Sequence, residues 1–432
     1  MEQFTRYLGL FQHLLRADED SAARSIAGWT DSDWQQFLTF LHEHRLREFF
    51  WYSTRRLPLL EQNVPPAVQK KLARFATRCS ERIAALARLR DQAGEALDSD
   101  GISWLILKGS ALIARFYPPG QMRHQGDVDL LVREEDVPAA VRSLKSTGLM
   151  LRGNRPEIRP GRMRAEHAAT LSNGNLSVDL HWKLRSGPDY RISMDDVWDS
   201  RQPCANMDGL LETVSDEYLL VLLCLSVAHD LGRGGIRLKS FLDLYHVLQQ
   251  LGSQLETTEF WERRRSEQIA RICRATLNVV DRILPQTVPS LPSPDENRNI
   301  LQFVSAAEHS AGGREFHQSH AEHWHPANQG PLQNPTADCT PEHRTELQLV
   351  ANPRGAIDNF LWLAEQQQLW KPAHLRWYIS KQLHHPGRIP LAFWRMLCFG
   401  ARLAPWAVTQ SPTTRLKHRQ TAPPVRPHRR AA

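Results

Sequence analysis

Two short clusters in this chain carry side chains able to do phosphoryl chemistry. Leu107-Lys108-Gly109-Ser110 sets a glycine and a hydroxyl at a turn, and Asp127-Val128-Asp129 sets two carboxylates two residues apart. On a strand, such residues project from one face, so Asp127 and Asp129 can reach a single ligand. Two convergent carboxylates suit Mg2+ or Mn2+, which completes its shell with water and substrate phosphates. In two-metal sites, ions roughly 3.5–4 Å apart stabilise both the attacking and the leaving oxygen of an in-line displacement. That chemistry needs a third carboxylate. Asp179 is the candidate, because alternation through Leu176 to Leu184 puts Asp179 and His181 on one face and Val178, Leu180 and Trp182 on the other.

The elements that must position these groups are legible around them. Ile102 to Leu107 is a short apolar run that predicts a buried strand ending at a turn. Gly109 permits close backbone approach, and Ser110 to Phe116 predicts a helix whose first amides face a phosphate. Pro118-Pro119 should stop that helix. Asp136 to Ser146 predicts a further helix, with Asp136 as its N-cap. An Asp-x-Asp pair alone is common at solvated strand ends. The ordered set of strand, Gly-Ser, helix, Asp-x-Asp strand and later Asp strand is what carries the reading.

At these residues the chain resembles the DNA polymerase β-type nucleotidyltransferase superfamily. Leu107-Lys-Gly-Ser-Ala-Leu112, Tyr117-Pro118, Arg123, Asp127-Val-Asp-Leu-Leu-Val132 and Asp179-Leu-His-Trp182 are similar to an uncharacterised bacterial nucleotidyltransferase family within it. Leu222 to His229 and Leu238 to Asp243 extend the resemblance, which covers roughly residues 1–250. It implies metal-dependent transfer of a nucleoside monophosphate from an NTP, with ATP the expected donor, to an unidentified hydroxyl. Asp127, Asp129 and Asp179 are then the metal-binding and catalytic residues. Lys108, Gly109, Ser110 and Arg123 would hold the nucleotide. His181 would orient the acceptor, and His229, Lys239 and Asp243 would line the substrate cleft beneath a covering helical domain. Lys239 and Asp243 also fit an ordinary i,i+4 ion pair. Arg152, Arg155, Arg159, Arg162 and Arg164, in an interrupted stretch, are further candidates for triphosphate oxygens.

The expected fold class is therefore α+β (mixed α/β), a small nucleotidyltransferase sheet with flanking helices embedded between N- and C-terminal helical regions. The expected organisation is a helical region at 1–99, a catalytic core at 100–205, a helical domain covering the cleft at 206–288, a polar loop or linker at 289–345, C-terminal helices at 346–408 and a basic disordered tail at 409–432. In the first region Trp29, Trp34, Phe49, Phe50 and Trp51 are expected in the core. Within the linker, His317, His320, His323 and His325 lack the compact Cys/His pattern of a structural zinc site.

A chain of 432 residues, 41% hydrophobic, can bury sizeable cores. Its net charge of +7 is uneven. No acidic residue follows Glu365, whereas twelve basic residues do, leaving 42 of the 54 basic residues against all 47 acidic ones in the remainder. An acidic body argues against a nucleic-acid acceptor and for a small molecule or a protein hydroxyl. The basic tail suits weak contact with an anionic membrane or a nucleic acid. Six scattered cysteines, no visible signal peptide and no apolar run long enough to span a bilayer lead to an expected cytoplasmic location. Two other classes share these features: a catalytically silent nucleotide- or partner-binding protein, and a nucleic-acid-binding protein acting through its C-terminus.

Overall fold

A computed structural model of the protein describes residues 2–153, 157–158, 160–187, 190–204, 211–233 and 237–289, with the single positions 367, 374 and 378. Apart from those three positions and 289, the polar segment with its four histidines, the expected C-terminal helices and the basic tail lie outside the described residues.

The first hundred residues form α1 (Glu2–Leu15), α2 (Glu19–Ile26), α3 (Asp31–Glu43), α4 (Arg47–Arg56), α5 (Pro58–Asn63) and α6 (Pro66–Ser99). Local chemistry sets the starts of several. The Asp18 side chain accepts from Ser21 N, Thr30 and Asp33 form a reciprocal capping box, and proline opens α5 and α6. Tyr7, Trp29, Trp34 and Phe37 pack ring against ring, with Trp29 and Trp34 edge to face at 4.9 Å. These aromatics are core, as their helical spacing implies.

Next come β1 (Trp104–Ile106), α7 (Ser110–Phe116), β2 (Val128–Val132), α8 (Val137–Ser146), β3 (Met150–Leu151), α9 (Pro160–Ala165), β4 (Ala168–Ser172), β5 (Ser177–His181), α10 (Met194–Asp199), β6 (Gln202–Pro203) and β7 (Glu212–Thr213). The helices α11 (Asp216–Arg233), α12 (Leu238–Leu251), α13 (Thr258–Ser266) and α14 (Ala270–Ile283) follow. The strands build one mixed sheet in the order β3-β4-β5-β2-β1-β7-β6. The central strand β2 runs antiparallel to β1 and parallel to β5. The fold is thus α+β with a sheet among helices. Asp136 departs from expectation: its backbone is already helical, in a 3-10 turn, and its side chain makes no cap bond.

Strand alternation divides the sheet between two cores. Val128, Leu130, Val132, Val178, Leu180 and Trp182 pack with Leu86, Leu89 and Leu97 of α6 and Val137, Val141 and Leu144 of α8. Gly94, in the middle of α6, makes room for Trp104: a Cβ there would lie 2.4 Å from the indole Cζ2. Leu131 joins the other core with Leu105, Leu107, Leu112 and the apolar residues of α11, α12 and α14. Asp129, two residues from Leu131, therefore faces the side on which those helices lie.

Two buried histidines dock α12. The Leu238 amide donates to His44 Nδ1 at 3.3 Å, and Gln121 Nε2 lies 2.9 Å from His246 Nε2. Both arrangements need a neutral ring. Burial first, then Arg237, pushes His44 down to about 4, and burial pushes His246 down to about 4 against the pull of Asp243. A depressed folded-state pKa gives stability that is present above the ordinary histidine value of about 6.5 and lost as pH falls toward about 4. The unfolding free energy should accordingly fall between pH 7 and pH 4.5 by up to ~1.4 kcal/mol per pH unit for each histidine, and the urea midpoint with it. His246→Gln, whose amide can still meet Gln121, should make that decline shallower. A midpoint constant across this window contradicts the assignment.

Candidate functional site

The two carboxylate strands meet in register. In the parallel β2–β5 ladder Asp129 pairs with Asp179 and Leu131 with His181, so Asp129, Asp179 and His181 share one face. One ligand atom from each of the three lies within 4.8 Å of the others. His181 Nε2 sits 3.0 Å from Asp129 Oδ1, and Lys108 Nζ reaches the same oxygen at 3.1 Å. The Thr170 hydroxyl, on β4, donates to Asp179 Oδ1 at 2.7 Å and fixes that carboxylate's rotamer. Asp127 stands one residue ahead of β2 and is half-buried.

The electrostatics favour a cation. Burial, then the negative charges of Asp129 and Asp179, push Asp127 up to about 6. Burial also works against ionisation of Asp129, but Lys108 and the hydrogen bond from His181 outweigh it and hold this carboxyl well below the usual range. Asp129 and Asp179 thus converge beside one lysine, with Asp127 outside that close cluster but within reach of their charges. Hard oxygen donors with surplus negative charge fit Mg2+ or Mn2+, with His181 Nε2–H donating to a ligating carboxylate. His181 Nδ1 is buried without a hydrogen-bond partner among the described residues.

At the turn, Gly109 adopts φ 56° and ψ −100°, a backbone that favours glycine. A Cβ here would also fall 2.3 Å from Gln125 Nε2, so a larger residue would displace that amide as well as strain the backbone. What approaches this backbone is the buried Gln125 side chain, which donates to Ser110 Oγ at 3.3 Å. Receiving that bond leaves the Ser110 hydroxyl proton available for an oxygen acceptor. Arg82 of α6 ties together the approaches to both carboxylate strands, donating to Gly126 O at 2.7 Å and to Asn175 O at 3.2 Å.

Several expected site residues have other partners. Arg123, expected at the phosphates, is buried and grips Asp243 with two nitrogens, Nε to Oδ1 at 2.7 Å and Nη2 to Oδ2 at 2.8 Å. Tyr117 donates to Asp243 Oδ1 at 2.5 Å and Lys239 to Oδ2 at 3.1 Å. Burial opposes the Asp243 charge, yet Arg123 and Lys239 hold its carboxyl far below the usual range. Burial and the neighbouring Arg123 push Lys239 down to about 8. Lys239 and Asp243, expected to line the cleft, are therefore members of an internal ion network joining α12 to the loop before Asp127. His229, on α11, is half-buried. His181, expected to face the acceptor, holds Asp129. Arg152 and Arg164 are exposed, while Arg155, Arg159 and the Arg162 side chain lie outside the described residues.

Sequence reasoning did not single out Thr170, Gln125, Arg82, Arg45 or Arg185. Only Arg185 had a signal: the period-two series from Asp179 and His181 continues through Lys183 to position 185.

A family model described as "Uncharacterised nucleotidyltransferase" matches residues 30–285, more than half of the chain. The chain belongs to this family. No curated protein and no solved structure matches. The matched span takes in every strand of the sheet, the Gly109-Ser110 turn, the carboxylates and the α11–α14 helices. A nucleotide substrate and a nucleotidyltransferase activity follow at the level of the family. No helix among the described residues is long and apolar enough to cross a membrane.

Proposed function

We propose that this protein moves a nucleoside monophosphate from an NTP, with ATP the preferred donor, to a hydroxyl on a small molecule or a protein, in the manner of the DNA polymerase β-type superfamily. The observation that carries the reading is the in-register pairing of Asp129 with Asp179, with His181 close by and Asp127 within reach of both charges. Asp127, Asp129 and Asp179 would hold Mg2+ or Mn2+. The bound cation supplies charge neutralisation at the phosphoryl oxygens and activates the attacking hydroxyl.

The chain's own groups do the positioning. Asp127 and Asp129 would hold the cation on the side of the donor's phosphates, and Asp179, steadied by Thr170, would stand on the side of the attacking oxygen. Ser110, receiving from Gln125, directs its hydroxyl proton to a phosphate oxygen beside Gly109. Lys108 offsets the trio's charge through Asp129 and can shift to a phosphate when that charge is otherwise met. The charge outside the basic C-terminus favours a small or protein acceptor over a nucleic acid.

The Lys108–Asp129 contact supports one rival, a silent nucleotide-binding protein in which the lysine permanently replaces the cation. Incubation with each α-labelled NTP, Mg2+ or Mn2+ and a cell extract separates the two. The proposal expects metal-dependent retention of label by one acceptor; NTP binding without retained label from any of the four nucleotides supports the silent reading.

A further inference from the structure

With Arg123 committed to Asp243, the guanidinium groups left to meet phosphate must come from elsewhere, and two stand at the edge of the carboxylate trio. Arg185 follows β5, and its Nη1 lies 3.1 Å from His167 Nε2. The His167 ring is 5.6 Å from that of His181, which is bonded to Asp129. Arg185 Nε is buried with no hydrogen-bond partner among the described residues. Arg45 sits in the α3–α4 turn at φ 55°, a conformation uncommon for any residue but glycine. Its Nη1 lies 3.8 Å from where a Cβ on Gly126 would be, one residue from Asp127. Neither arginine is ion-paired to a carboxylate among the described residues.

We infer that Arg45 and Arg185 are the polyphosphate-binding residues of this site, one on each side of the carboxylate trio. The planar guanidinium fork matches phosphate oxygens in a way that neither a neutral base nor a hydroxyl acceptor does. A partly desolvated guanidinium with no carboxylate in direct contact is unfavourable, and an arriving polyanion relieves that cost at both positions. Burial comes first among the influences lowering both guanidinium pKa values from the ordinary arginine value, while the charge of Asp230 on α11 attracts both. Asp127 also attracts Arg45, and Asp129 and Asp179 attract Arg185.

The inference rests on the nucleotidyl-transfer reading for the identity of its ligand, so the test uses a probe with neither base nor reactive acceptor. Inorganic tripolyphosphate with Mg2+ is titrated calorimetrically into the full chain at fixed ionic strength, beside inorganic phosphate and a nucleoside monophosphate. Arg45→Gln and Arg185→Gln should each weaken tripolyphosphate binding about tenfold or more. Arg185→Lys should fall between wild type and Arg185→Gln, and Arg142→Gln, at an exposed position on α8, should bind as wild type does. Urea midpoints report folding; if Arg185→Gln does not fold, Arg45→Gln and Arg185→Lys carry the test. Wild-type affinity in the folded arginine variants, or no tripolyphosphate binding by the wild type, overturns the inference. An equal loss for phosphate and monophosphate also overturns it, in favour of a phosphorylated acceptor. Arginine-dependent tripolyphosphate binding without any nucleotidyl transfer would sink the proposed function alone; transfer that persists with unaltered tripolyphosphate affinity in the variants would sink this inference alone.

Discussion

Asp129→Asn is expected to lower nucleotidyl transfer by about 10²–10³-fold or more while the protein stays folded. Asp129 is the hub of the site, since Lys108, His181 and the in-register Asp179 all converge on it. An amide keeps an oxygen to accept from His181 but carries no charge for a divalent cation. The fold tolerates the change because Lys108 is not fully enclosed, its side chain being 19% exposed. Asp179→Asn should behave differently: the amide oxygen can still accept from Thr170, so NTP binding should persist while turnover stops. Steady-state transfer against metal concentration is the measurement. Activity and metal dependence unchanged in Asp129→Asn would remove it from the site, and a large loss of NTP affinity with normal turnover in Asp179→Asn would reverse its role.

The largest effect on stability should come from Asp243. Its carboxylate is 3% exposed and balances Arg123 and Lys239 at once. Asp243→Ala leaves Arg123 buried and unpaired, a change that costs about 3–5 kcal/mol. Replacing Arg123 by Met and Asp243 by Leu together removes the Arg123–Asp243 pair and should recover part of the loss, while Lys239, its side chain 14% exposed, loses its carboxylate. Urea unfolding of Arg123→Met, of Asp243→Leu and of the double variant gives the coupling. Additive losses would show that the two groups do not form a stability-determining pair. Because Arg123 lies in the loop leading to Asp127, Asp243→Ala should also reduce transfer in the fraction that remains folded.

Local signals account for what could be read from the sequence. The α7 helix occupies Ser110–Phe116, between Gly109 and the Pro118-Pro119 pair that cannot continue it. Period-two alternation separates Asp179 and His181 from Val178, Leu180 and Trp182, and the apolar set is in the core shared with α6 and α8. The Lys239–Asp243 pair was visible as an i,i+4 spacing. Its third member was not, because Arg123 lies 120 residues away and reaches Asp243 only once α12 has docked. The same reason hid the His181–Asp129 contact, which depends on the parallel register of two strands 50 residues apart in the chain. Gln125 was hidden for another cause: loop residues carry no periodicity, and its place over Gly109 follows from backbone geometry at the turn. Arg123 illustrates the hazard of carrying a residue over from a resemblance, since a basic residue ahead of Asp-x-Asp serves a phosphate or an internal carboxylate equally well until its partners are known.

The most direct test of nucleotidyl transfer compares α-labelled with γ-labelled NTP in parallel reactions containing the wild-type protein, Mg2+ or Mn2+ and a cell extract, with Asp129→Asn as the control. Transfer of a nucleoside monophosphate predicts an acceptor that retains the α label and not the γ label, only with metal and only with the wild type. An acceptor that retains the γ label instead would show phosphoryl rather than nucleotidyl transfer and would contradict the account.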